Sequence, residues 1–67
     1  MAEILAGREV ILEYRQQGNF MRVSAMDTAT MTEIVVQCPA GAGEAVFKNA
    51  ALKRLEYVLK KNGHIKE

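Results

Sequence analysis

Sixty-seven residues confine this chain to one domain, of a size at which a single hydrophobic core supplies only ~3–5 kcal/mol net. Hydrophobic residues make up 49% of it, which argues against a disordered polar tail, and no apolar run approaches the roughly 20 residues of a membrane-spanning helix. The net charge of +1 singles out no class of partner, although residues 44–67 hold six Lys/Arg against three Glu while residues 1–43 hold three Arg against five acids.

The opening MAEILAGRE has neither a basic region nor a long apolar stretch and does not read as a secretory signal. Residues 1–7 read as an N-terminal tail in which Ile4 and Leu5 can cover an apolar surface. From about residue 8 to residue 15, EVILEYR mixes β-branched and aromatic residues in partial alternation and predicts a strand. Gln16-Gln17-Gly18-Asn19 is turn material, and FMRVSAM over residues 20–26 predicts a second strand. Asp27 to Met31 forms another polar turn, in which Asp27 can accept backbone hydrogen bonds. TEIVVQC over residues 32–38 predicts a third strand, ended by Pro39.

A register follows from charge pairing. Four-residue loops at 16–19 and 28–31 set Leu12 opposite Val23 and Val23 opposite Val36, and place Glu13 across from Arg22. A two-residue Gly18-Asn19 loop keeps the same faces but sets Arg15 against Arg22, so the four-residue register is preferred. One face then carries Val10, Leu12, Tyr14, Met21, Val23, Ala25, Ile34 and Val36.

Residues 44–62, EAVFKNAALKRLEYVLKKN, predict the helix that covers this face. At 100° per residue, Phe47, Ala51, Leu52, Leu55, Val58 and Leu59 share one broad arc, with Asn49, Lys53, Glu56 and Lys60 opposite. No Ser, Thr, Asp or Asn stands ready as an N-cap, so the start is weakly capped. At the far end Lys60 and Lys61 favour the negative pole of the helix and Gly63 supplies a left-handed stop. The expected fold is α+β: a three-stranded antiparallel meander packed against one C-terminal amphipathic helix (β-β-β-α), with a domain over residues 8–63 and a C-terminal tail over 64–67.

Such a sheet has one covered and one open face. The open face carries Ile11, Glu13, Arg15, Phe20, Arg22, Ser24, Met26, Glu33, Val35 and Gln37, and Ile11, Phe20, Met26 and Val35 are unfavourable to leave wet. On the helix, Tyr57 shares a side with Val46, Ala50 and Arg54, a patch expected to pack on an edge strand or meet a partner.

Catalytic chemistry finds little footing. His64 lies beyond the helix stop, and Cys38 has core-face parity and reads as a small buried hydrophobe. One Cys and one His do not build a zinc site, and Pro39-Ala-Gly-Ala-Gly-Glu lacks the Lys-Ser/Thr of a phosphate-binding loop. No catalytic residue, cofactor or metal is expected. The lone cysteine and four methionines suit a reducing compartment, so the cytoplasm is the expected location.

Three strands followed by FKNAALKRL resemble the carboxy-terminal part of a double-stranded-RNA-binding domain, whose lysine-rich helix start contacts phosphates. Only Lys48 stands near the helix start here, with Lys53, Arg54, Lys60 and Lys61 farther along, and the first helix of that family is lacking.

A resemblance covering about residues 9–61 is carried by Val23, Ser24, Ala25, Asp27, Thr30 and Glu33, then Pro39 and Gly41, then Ala51, Leu52, Leu55, Glu56, Tyr57, Val58 and Leu59. These residues resemble a family of short uncharacterised alphaproteobacterial proteins, which often has glycine where this chain has Met31. The resemblance implies a small domain of unknown function and brings no site residues.

The expectation is a non-enzymatic protein-association module, pairing with itself or another protein through Ile11, Phe20, Arg22, Met26, Val35 and Tyr57. The alternative is a weak RNA binder using Lys48, Lys53, Arg54, Lys60 and Lys61, together with Arg15 and Arg22. No membrane contact is expected.

Overall fold

The computed structural model describes residues 2–66, with the side chain of Ala2 left aside. It contains four strands, β1 (Ala2–Leu5), β2 (Arg8–Gln17), β3 (Phe20–Asp27) and β4 (Thr32–Pro39), a single 3-10 turn (Ala40–Ala42) and one helix, α1 (Glu44–Lys61). The strands form one antiparallel sheet in the order β1-β2-β3-β4.

The sheet therefore has four strands where the sequence pattern suggests three. Residues expected to be a tail pair as a strand, with Glu3 opposite Val10 and Leu5 opposite Arg8. The hairpin closes through Ala6 and Gly7, both at positive φ (52° and 76°), the pattern of a two-residue turn whose twist matches its flanking strands. Four residues are too few to show a period, so the signal lay in this turn rather than in the strand. Met1 lies outside the described residues, as does Glu67 of the expected C-terminal tail.

The first predicted register is also corrected. Gln17 pairs with Phe20, Tyr14 with Val23 and Leu12 with Ala25, so the loop is Gly18-Asn19 alone. Gly18 takes φ +59° at the first central position, which suits a type II′ hairpin turn. The second hairpin has the expected register, with Val23 opposite Val36 and Ala25 opposite Ile34. Because the first shift is by two residues, every side chain keeps its predicted face.

Helix α1 packs on β3 and β4 and buries Phe47, Ala51, Leu55 and Leu59 against Val10, Leu12, Val23, Ala25 and Cys38. Each large aliphatic side chain taken fully out of water contributes about 1.5–3 kcal/mol. No side chain caps the start, where Gly43 is the N-cap. The end is well formed: Gly63 N–H donates to the Lys60 carbonyl (3.1 Å) and His64 N–H to the Leu59 carbonyl (2.8 Å), with Gly63 at φ +81°. This paired motif satisfies the last carbonyls and turns the chain back, so that Ile65 packs on the core.

Candidate functional site

The face of the sheet away from α1 is built from alternate residues of all four strands. Across it, Ile11, Met26 and Glu33 lie in one row, Glu13, Ser24 and Val35 in the next, then Arg15, Arg22 and Gln37, and finally Gln17, Phe20 and Pro39. Ile11 and Met26 are direct cross-strand neighbours and Val35 is diagonal to Met26, so these three make a continuous apolar patch; Ile4 extends it at the β1 edge. Phe20 (55% exposed) stands apart at the far end. Of the expected association residues, the structure thus gathers Ile11, Met26 and Val35, sets Arg22 beside them, and leaves Phe20 beyond the arginines.

Arg15 and Arg22 face each other directly across β2 and β3. Like charges directly opposite each other destabilise a strand pair. Among the described residues neither guanidinium has an ion-pair or hydrogen-bond partner. The two arginines line a shallow cleft of about 280 Å³ with Glu13, Ser24, Glu33 and Val35. It offers two forked donors beside an apolar wall, with two carboxylates at its margin.

Tyr57 does not join this face. It sits on α1, on the other side of the sheet, 54% exposed rather than packed on an edge strand. Arg54 lies over its ring, 5.4 Å from the centroid, and Lys61 Nζ approaches to 6.0 Å, so two cations share one aromatic ring. The remaining basic residues are dispersed. Lys48 is held by Glu3 of β1 at 2.9 Å, and that hydrogen-bonded carboxylate raises the Lys48 ammonium above its ordinary value. Lys60 lies 4.0 Å from Glu56, one helical turn earlier. Lys53 is exposed. Arg15 and Arg22 are separated from all of these by the sheet.

Two polar groups on the core side make contacts that have no local sequence signal. Asp27, expected to cap its turn, does so by accepting the Thr30 hydroxyl (2.6 Å) and backbone N–H (3.2 Å), and it is fully buried. Its main partner is Arg8, whose Nε and Nη2 donate to the two carboxylate oxygens at 3.1 and 3.0 Å. Arg8 holds the carboxyl below its ordinary range against the opposing effect of burial, with Thr30 adding to the shift. Tyr14 packs its ring on Phe47 (6.0 Å between centroids, 60° tilt), and its buried hydroxyl has no partner. Burial and the Glu44 carboxylate push that phenol above its ordinary value.

Cys38 is buried in the core, as its parity suggests, and His64 is exposed. Among the described residues, no group of three or more His, Cys, Asp or Glu is placed to hold a metal ion, and no helix is long and apolar enough to cross a membrane.

No curated protein matches the chain, and no solved structure does. Residues 7–62 match a family pattern that begins after β1 and ends at the helix stop, spanning both the Arg15/Arg22 cleft and the Asp27 turn. The chain belongs to the family described as "Domain of unknown function (DUF6898)".

Proposed function

We propose that this domain is a non-enzymatic protein-association module whose open sheet face binds a partner segment that brings a carboxylate between Arg15 and Arg22 and apolar side chains onto Ile11, Met26 and Val35. The observation that carries this reading is the opposed arginine pair. A sequence consistent with its fold at nearly every level breaks a local rule here and provides no ion-pair partner among the described residues. Paired guanidiniums beside an apolar patch are complementary to an acidic, partly apolar segment, since Arg binds carboxylates through parallel hydrogen bonds. Composition supports a cytoplasmic setting, and the motif resemblance supports an alphaproteobacterial origin.

The test is an amide NMR titration with a probe peptide of alternating Glu and Leu. Binding is expected to shift the amides of Ile11, Arg22, Met26 and Val35 and to be lost in Arg15→Glu and Arg22→Glu. An absence of shifts at millimolar peptide overturns the reading.

A second reading, weak RNA binding, is favoured by the exposed Arg54–Tyr57–Lys61 cluster, which joins a stacking surface to two cations. A short RNA duplex and a single strand in the same titration separate the two. Shifts on Arg54, Tyr57 and Lys61 that vanish with salt support RNA binding, and their absence retires it.

A further inference from the structure

The two edges of the sheet are unequal. β1 is four residues long, whereas β4 is eight, paired without a bulge along β3, with no strand beyond it among the described residues. Exposed edges are normally guarded by Lys, Pro, bulges or shortness. β4 has no Lys or Arg, and its one proline is its last residue.

The hydrogen-bonding direction along β4 follows from the turns. Thr28 N–H donates to the Glu9 carbonyl on the β2 side, and Ala40 N–H to the Asn19 carbonyl on the β4 side. Alternation along antiparallel ladders then directs the amides of Thr32, Ile34, Val36 and Cys38 inward to β3. Those of Glu33, Val35 and Gln37 point outward along the free edge.

We propose that a second copy of this chain docks on this edge, β4 to β4 and antiparallel about a two-fold axis at Val35, forming one continuous sheet. The register is self-complementary. Val35 meets the partner's Val35, and Glu33 meets the partner's Gln37, so each outward amide and carbonyl gains a partner and no like charges oppose. On the helix side, half-buried Ile34 meets the partner's Val36 as a β-branched pair. A one-residue slip breaks this match, because it turns inward-directed groups to the interface. The dimer leaves both Arg15/Arg22 faces open and side by side on one surface.

The test combines mass measurement across a concentration series with amide hydrogen exchange. A monomer–dimer equilibrium is expected, with the Glu33, Val35 and Gln37 amides gaining protection as concentration rises. Val35→Pro removes an outward N–H and no inward one, so it should abolish the dimer while the amide spectrum of the folded monomer persists. Gln37→Glu opposes Glu33 of the partner twice per dimer and should weaken it about fivefold, whereas Gln37→Lys should tighten it by a similar factor. A monomer at every concentration up to about millimolar, roughly three orders above a typical micromolar Kd, overturns the proposal. So does a dimer whose β4 amides exchange as in the monomer, or one that Ile11→Glu breaks and Val35→Pro leaves intact.

Discussion

Arg8 and Asp27, nineteen residues apart, meet through two parallel hydrogen bonds that fasten the start of β2 to the end of β3. Arg8 Nη1 also reaches the His64 carbonyl at 3.4 Å, just past the end of α1. One guanidinium thus touches the sheet, the second turn and the helix stop. Asp27 is fully buried and Arg8 mostly so, a setting in which removing one partner strands the other charge.

Asp27→Asn is therefore expected to cost about 3 kcal/mol, most of what a core of this size supplies. Urea unfolding followed by circular dichroism should show a variant with about 0–2 kcal/mol of stability left at 25 °C, its transition shifted to low urea. The double replacement Arg8→Met/Asp27→Leu should recover much of the loss, because it removes both charges and leaves neither buried alone. A double variant as unstable as Asp27→Asn would show that the Thr30 contacts, and not the ion pair, hold this corner.

The same pair sets an acid limit. Asp27's carboxyl titrates below its ordinary value near 3.8, principally because Arg8 hydrogen-bonds its ionised form. A depressed folded pKa means that the stabilisation is complete above the unfolded pKa and is lost as pH falls through the folded one. Urea midpoints should thus show no pH dependence from Asp27 between about pH 5 and 8, where its contribution is complete, and a decline below about pH 4. A carboxyl-carbon NMR titration placing the Asp27 midpoint at or above its ordinary value would contradict this.

How far the sequence discloses this fold depends on which residues carry the signal. Helix α1 is legible because Phe47, Ala51, Leu55 and Leu59 repeat at helical spacing and Gly63 ends the run. The faces of the sheet are legible because a two-residue register shift preserves parity. The first register itself is misread where a Glu13–Arg22 pair, worth a few tenths of a kcal/mol, is weighed above the twist of a Gly18-Asn19 turn. β1 is too short for periodicity, and Arg8's grip on Asp27 is a long-range contact with no local pattern. Tyr57 is misplaced because an aromatic on a helix flank reads as packing, whereas here Arg54 and Lys61 cover its ring in solvent. At the candidate site, the apolar residues are visible by alternation, but the Arg15/Arg22 opposition depends on the one register that charge pairing rejects.

Backbone conformation at Met31 and Gly63 predicts substitutions of opposite sign. Both residues are left-handed, at φ 58° and 81°, and Met31 is an exposed side chain in the second turn. Met31→Gly should relieve strain and stabilise by about 0.5–1 kcal/mol. Gly63→Ala should cost about 1 kcal/mol, and since a Cβ there meets nothing within 4 Å, the cost is conformational alone. Thermal melts of both variants check this, and equal signs would refute the backbone account.

Arg22→Glu separates stability from association. In the observed register the new carboxylate faces Arg15 directly, replacing a like-charge opposition with an ion pair on an exposed face. Cross-strand pairs of this kind are worth a few tenths of a kcal/mol, so relief of repulsion and gain of attraction together should stabilise the fold by about 0.5–1 kcal/mol. The effect should shrink as salt rises toward 1 M, where exposed charges are screened. The same variant should lose binding of the Glu/Leu peptide. A protein made more stable by removing a residue and less able to bind without it retains that residue for binding, since folding alone disfavours it. If Arg22→Glu instead destabilises the domain at low salt, the arginine pair is compensated by contacts within the fold, and the open face loses its claim as the contact surface.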